Sequence, residues 1–276
     1  MDQLKSRKYY SKILLFGEYT TVVGSKALAI PFDRFSGEWS FDENNENQGE
    51  QLLKFLDFAL ESTEANIHKE LFKSDVDKGL WFKSDIPIGY GLGSSGAFTA
   101  AFFDKYVNQE KGFNTEHLRT VLADLESFFH GKSSGTDPLV SLLNMPIITH
   151  EDKTIELLYG DYQLDWYRFE LVNSEESRST EPLVAKFLDR LETDVLFKNK
   201  ISILSTLNNE IIESCLAQDS STFNSCLKAI SHIQYHHMHE WIPDHIKEIW
   251  KTDSNCIMKL CGAGGGGYFL KFWWNT

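Results

Sequence analysis

The sequence predicts an α+β protein of two domains, and three observations carry that reading. Strand-like and helix-like segments are mixed without the regular βαβ alternation of a doubly wound parallel sheet. β-branched and aromatic runs punctuated by glycine open and close the chain, with long amphipathic segments between them. The 276 residues also suit two domains of roughly 100–170 residues better than one large core. The division is placed at 1–162 and 163–276.

In chain order, SKILLFGEYTTVV (11–23) reads as a strand pair punctuated by Gly17 and Gly24. KALAIPFDRFSGEWSFDEN (26–44) supplies another strand or two, and the polar ENNENQGE (43–50) a solvated connection. QLLKFLDFALESTEANIHKELF (51–72) has helical spacing of its apolar residues. GLWFKSDIPI (79–88) is strand-like and delivers the chain to a glycine-serine loop, and the helix after that loop should end near Gly112. NTEHLRTVLADLESFFHG (114–131) reads as a helix with Asn114 or Thr115 as cap and Gly131 as stop. In the second half, WYRFELVNS (166–174) is a strand, and 181–217 and 219–239 are long amphipathic helices. SNCIMKLCGAGGGGYFLKFWW (254–274) closes the chain as strand, glycine turn and strand.

Composition narrows the function classes. A formal net charge of −13 leaves no basic stripe for nucleic acid or an anionic membrane, although a local nest can still hold one anionic nucleotide. Cys215, Cys226, Cys256 and Cys261 form no CxxC pair, which fits reduced thiols. The start MDQLKSRKYYSK lacks the apolar core of a signal peptide, and no run of about 18 apolar residues offers a spanning helix. The expectation is a cytoplasmic protein.

The chemistry concentrates in the glycine segments. PIGYGLGSSGA (87–97) runs directly into AFTAAFFDKYV, so glycines that let backbone approach an anion precede a helix N-terminus with unpaired N–H groups. Several simpler motif readings fail. Gly91–Gly96 and Gly262–Gly267 both satisfy GxGxxG, but Glu116, the acid nearest the required distance, sits in a helical segment, and the second match lies at the end of the chain. Gly131-Lys132-Ser133-Ser134-Gly135 matches a nucleophile elbow in letters, yet follows a helix where the elbow needs a strand. Nor is it a phosphate-binding Gly-Lys-Ser tail, since Glu126 stands where the leading glycine belongs. His232, His236, His237, His239 and His245 invite a metal, but structural or solvated histidines are the plainer reading.

Three segments in register, KILLFGEYTTVVGSKALA (12–29), PIGYGLGSSGA and KLCGAGGGGYFL (259–270), resemble the motifs of the GHMP kinases across nearly the whole chain. ESFFHGKSSGTDPLVS (126–141), a glutamate followed by HG and SGxD, resembles the mevalonate kinase branch, as does RSTEPLVAKF (178–187). The resemblance implies a two-domain α+β fold, ribosomal-protein-S5-domain-2-like in its N-terminal half and ferredoxin-like in its C-terminal half, with the active site in the cleft between them. It implies an ATP- and Mg²⁺-dependent kinase acting on the primary hydroxyl of mevalonate, a step of isoprenoid precursor synthesis. Phosphomevalonate kinase, another sugar or metabolite kinase, and a non-catalytic nucleotide sensor on the same fold are the alternatives. A homodimer is implied by resemblance only.

Carried over by motif position, Gly91, Leu92, Gly93, Ser94, Ser95, Gly96 and Ala97 would cradle the nucleotide phosphates. Ser95 and Glu126 would hold Mg²⁺ through hard oxygen ligands. Asp137 would accept or orient the hydroxyl proton, and Lys12 beside it would stabilise charge on the accepting oxygen. Gly264 and Gly265 would let backbone close on the nucleotide, and Glu18, Tyr19, Ser134 and Thr180 would meet the substrate. Lys132, Arg178 and Lys186 are the basic candidates for a phosphorylated substrate. Three features depart from the pattern. Tyr19 stands where a histidine is common, and Gly96 replaces the usual alanine, which should leave more room. The sequence ends nine residues after Gly267, with Trp273 and Trp274 expected to be exposed and to want a partner surface.

Overall fold

A computed structural model describes residues 7–42, 46–108, 114–159, 167–177, 180–252 and 255–274. Strand β1 (Tyr9–Phe16) ends at Gly17, whose backbone lies so close to Ala27 that a Cβ would sit 2.7 Å from the Ala27 methyl. The second half of the expected strand pair is instead a 3-10 turn, Thr20–Val23. Positive φ at Gly17, Tyr19 and Gly24 reverses the chain where a strand would need extended backbone. β2 (Ala27–Phe41) is one strand of 15 residues.

The helical run expected over 51–72 is two helices, α1 (Glu46–Ser62) and α2 (Lys69–Asp77). Between them Thr63 accepts a hydrogen bond from the Ala65 N–H and Ile67 forms an antiparallel bridge with Val107, so the backbone bonds elsewhere than along a helix. β3 (Leu80–Ser84) leads to α3 (Ser94–Tyr106), which stops before Gly112 because Val107 is extended and the Tyr106 carbonyl accepts from His68. α4 (Thr115–His130) has the ends read from sequence, with Asn114 accepting from the His117 N–H and Gly131 at φ +68°. α5 (Thr136–Leu143), β4 (Ile147–Thr149) and β5 (Ile155–Leu157) were not anticipated.

β6 (Tyr167–Asn173) precedes α6 (Thr180–Thr193) and α7 (Val195–Leu216). The long helical run breaks at Asp194, whose carboxylate caps α7 through the Phe197 N–H. α8 (Ser220–His237) is capped by Asp219, and α9 (Asp244–Thr252) leads to β7 (Ile257–Leu260) and β8 (Tyr268–Trp274).

The chain divides into two compact units that interleave in sequence. The first holds the N-terminal segment through Lys12, Ile30–Pro87 and Leu92–Pro146; the second holds Ile13–Ala29, Ile88–Gly91 and the chain from Ile147 onward. The sequence division at 162/163 lies outside the described residues. In the first unit β3 pairs antiparallel with residues 37–41 of β2. Its core is aromatic: Trp39, Phe55, Phe72, Phe102 and Tyr106 meet edge to face, with Trp39 Nε1 donating to the Ala101 carbonyl at 3.0 Å.

In the second unit, residues 27–29 pair with β4, and β4 with β5. Among the described residues a separate antiparallel sheet runs β6-β8-β7. Phe16, Phe223 and Phe272 join that sheet's apolar face to α8. Trp273 is half-buried rather than exposed, paired in register with Arg168 and with the Lys271 ammonium 5.3 Å from its ring centre. The Trp274 side chain and Arg178 lie outside the described residues.

Candidate active site

Two helix N-termini meet in the first unit. α3 begins after Gly93, which is left-handed (φ +76°) and offers no side-chain cap. The first-turn N–H groups at Ser94, Ser95 and Gly96 therefore have no intrahelical partner and present the positive end of the helix dipole. α5 begins after Gly135, also left-handed, with Asp137 in its first turn. Glycine makes the approach possible: a Cβ on Gly93 would come 2.9 Å from Lys12 Cγ, and one on Gly96 would come 2.9 Å from both the Asp137 carbonyl carbon and the Pro138 nitrogen. The expected spare room at Gly96 is thus filled by the backbone of α5.

Lys12 lies on β1, with its N–H donating to the Leu92 carbonyl at 2.9 Å. Its ammonium is 2.9 Å from Asp137 Oδ2, with Lys12 only 8% exposed and the aspartate side chain 34% exposed. The pair is open to solvent on the aspartate side alone, with the lysine buried behind it. The carboxylate is reachable, and the cation behind it is held.

Glu126, on α4, is buried, and among the described residues no lysine or arginine is bonded to it. Ser95 Oγ donates to its Oε1 at 2.9 Å, Ser133 Oγ donates to its Oε2, and His130 Nε2 lies 3.0 Å from Ser95 Oγ. Burial, and next the nearby Asp137 charge, push the Glu126 carboxyl up to about 7 against the opposing hydroxyl bonds and the Lys12 charge. A buried carboxylate hydrogen-bonded by two serine hydroxyls fits a hard divalent cation, which would add positive charge beside it. Among the described residues no group of three or more His, Cys, Asp or Glu could hold a metal alone. Mg²⁺ typically takes one or two protein oxygens and completes its shell with phosphate and water, and the Ser95 hydroxyl and Glu126 carboxylate are oxygen donors of that kind.

The structure thus brings Lys12, Asp137, Ser95, Glu126 and the Leu92–Ala97 backbone together in the first unit. Ser134 is on the same turn, exposed, bonded to Thr136 Oγ1 at 3.1 Å. Ser133 and His130 were not singled out from sequence. Both stand inside the HGKSSGTD segment, and Ser133 carries the signature of a hydroxyl turn, accepting from the Gly135 N–H two residues on.

The other expected residues belong to the second unit. Gly91 is left-handed at φ +78°. Glu18 is buried and accepts from Lys259, itself fully buried, whose Nζ also donates to the Leu260 carbonyl at 2.6 Å. Burial raises the Glu18 carboxyl despite the opposing lysine charge. Tyr19 is buried too, stacked on Phe187 at 4.5 Å, with its hydroxyl donating to the Ala263 carbonyl at 2.6 Å. Gly264 and Gly265 serve packing: a Cβ on Gly264 would meet the Trp241 carbonyl at 2.6 Å, and the Gly265 N–H already donates to that oxygen. Thr180 is exposed at the start of α6. Lys186 pairs with Glu240 at 3.2 Å; Lys132, which belongs to the first unit, is exposed beside Ser133.

Among the described residues no helix is long and apolar enough to cross a membrane. Residues 56–144, which contain α3, α4 and α5, match the GHMP kinases N terminal domain. The mevalonate kinase of Dictyostelium discoideum is 24% identical, with 93% of this chain and 84% of that protein aligned. That of Archaeoglobus fulgidus is 26% identical over 93% of this chain and 88% of its own length. In structure, the Methanococcus jannaschii mevalonate kinase superposes with a TM-score of 0.69 at 17% identity, covering 97% of this chain and 90% of that one. A Streptococcus pneumoniae phosphomevalonate kinase follows at 0.63 and 12% identity, over 98% of this chain and 91% of that one. At such identities the structural likeness establishes the two-domain α+β fold of these kinases.

Proposed function

We propose that this chain, a kinase of the GHMP fold, transfers the γ-phosphoryl group of ATP to the primary hydroxyl of mevalonate, giving 5-phosphomevalonate and ADP. The observation that carries the chemistry is the Lys12–Asp137 pair, 2.9 Å long and partly open, set against the uncapped start of α3. The mevalonate kinases aligned over 93% of the chain support the choice of substrate.

The residues divide the work of phosphoryl transfer into positioning and charge neutralisation. The first-turn amides of α3 bind the nucleotide phosphates. Ser95 and Glu126 would hold Mg²⁺, which would supply positive charge to offset the phosphates and would favour the ionised Glu126 carboxylate. Asp137 accepts the proton of the substrate hydroxyl as its oxygen forms a bond to the γ-phosphorus and the bond from that phosphorus to the bridging oxygen breaks. Lys12 stabilises the charge developing on the attacking oxygen. Because Asp137 and Lys12 sit on separate elements, each locked by backbone contacts with the glycine loop, the pair needs little reorganisation at the moment of reaction.

A coupled ATP-consumption assay with mevalonate, phosphomevalonate, galactose and homoserine tests the reading, with Asp137→Asn as control. Turnover on mevalonate that disappears in the control is the expected result. Turnover only on another acceptor would reassign the substrate, and ATP binding with no turnover on any would leave a nucleotide sensor.

A further inference from the structure

A groove of about 250 Å³ opens on the second unit between α8, α9 and β7. Lys228, His232 and His236 line it from positions four residues apart on α8, so one helical face presents all three, and Lys251 lines it from α9. None of the described residues lining it is acidic, in a chain whose formal net charge is −13. Lys228, His232, His236 and Lys251 are exposed, while the aromatic and apolar lining of Tyr235, Trp250 and Met258 is half-buried or buried. Tyr235 and Trp250 lie 5.9 Å apart, and Trp250 Nε1 donates to the buried Ser231 hydroxyl at 2.9 Å. Met258, at the base, is 1% exposed.

This combination selects a ligand class. Two ammonium groups and two imidazoles, each with at least one N–H donor, suit a compact oxyanion with several acceptor oxygens. Two aromatic rings beside them suit a flat or aliphatic body rather than a bare ion. The His232 and His236 rings are 4.3 Å apart, a spacing that two i,i+4 metal ligands also show, but no third ligand joins them among the described residues.

We propose that this groove binds a small organic phosphate, with Lys228, His232, His236 and Lys251 meeting the phosphate and Tyr235 and Trp250 covering the apolar body. None of these residues belongs to the set assigned above to nucleotide, metal or substrate. The site therefore stands or falls apart from the kinase reading.

The test is isothermal titration calorimetry of the full chain with 1-naphthyl phosphate, in the presence of saturating non-hydrolysable ATP analogue and Mg²⁺ to occupy the nucleotide site. Inorganic phosphate and 1-naphthol serve as half-ligands. Saturable binding of the ester, tighter than either half, is the expected result, weakened at least about tenfold in the Lys228→Gln/Lys251→Gln variant. Both lysines are exposed, so the variant should keep its circular dichroism and its ATP turnover. Absence of binding, displacement of the ester by the analogue, or equal affinity in the double variant would each overturn the proposal. So would saturable Zn²⁺ binding that is lost in His236→Ala without any binding of the ester.

Discussion

Gly96 and Asp137 touch through their backbones: a methyl group on Gly96 would lie 2.9 Å from the Asp137 carbonyl carbon and 3.0 Å from its Cβ. The first turn of α3, where phosphate would bind, is thereby in direct register with the first turn of α5, which carries the proposed base. The distance between the two halves of the chemistry is set by the absence of one side chain.

Gly96→Ala should therefore act on rate more than on nucleotide affinity. The neighbour is backbone, which cannot swing aside as a long side chain would, so α5 must shift by some tenths of an ångström. Overpacking of this kind costs about 1–3 kcal/mol of stability. Displacement of a catalytic group costs up to roughly 100-fold in kcat. Steady-state kinetics with an urea titration would measure both, and a variant with wild-type kcat would show that α5 is positioned by something else.

Asp137→Asn keeps the shape of the site and removes the proton acceptor. The expectation is a fall in kcat of about 10²–10⁴-fold with KM for the acceptor changed little, since general base catalysis acts in the transition state. A loss confined to KM would make Asp137 a binding residue. The same substitution removes one of the charges that push Glu126 up, so the Glu126 titration should move to lower pH.

Glu126 makes a pH prediction with a definite sign. Its carboxyl is raised from an ordinary value near 4.5 to about 7, so between those values the native state holds a proton that the unfolded chain has released. Its contribution is present below about pH 4.5 and lost as pH rises through about 7, amounting to about 3 kcal/mol at the full shift. Measured by urea unfolding without Mg²⁺, the wild type should therefore lose stability relative to Glu126→Gln between pH 5 and pH 8. Mg²⁺ with an ATP analogue should restore the wild type alone. Parallel pH profiles for the two proteins would refute the assignment.

The sequence exposed this site unevenly. The ends of α4 were legible because Asn114 and Gly131 act locally, one by accepting an N–H three residues on and the other by adopting a positive φ. α5 was not, because HGKSSGTDPLVS is rich in turn formers; a proline in the first turn is tolerated where its missing N–H has no intrahelical partner anyway. The glycines at 264 and 265 were read as letting backbone close on a nucleotide; the neighbours a Cβ there would meet, Trp241 and Leu183, are set by tertiary packing that no local pattern announces. The partner of Glu18 was invisible for the same reason: Lys259 lies 241 residues away, in a strand where a lysine among Ile, Met and Leu was the single hint.

That pair yields the last prediction. Lys259 is 0% exposed and Glu18 4%, so each neutralises a charge that water cannot reach. Removing one partner strands the other, whereas removing both leaves only polar atoms to rearrange. Lys259→Met should accordingly destabilise the protein by about 3–5 kcal/mol, and Glu18→Gln/Lys259→Met by distinctly less than the single lysine variant. Urea unfolding at neutral pH would measure the cycle. If instead Glu18 chiefly serves substrate, Glu18→Gln would raise KM with stability nearly intact, and the double variant would show no recovery. Because Tyr19 follows Glu18 directly and hydrogen-bonds Ala263 just past the C-terminal end of the strand that carries Lys259, the strain of an unpaired Glu18 should also reach the glycine turn, and protection of the Gly265 N–H from hydrogen exchange should fall in Lys259→Met and return in the double variant.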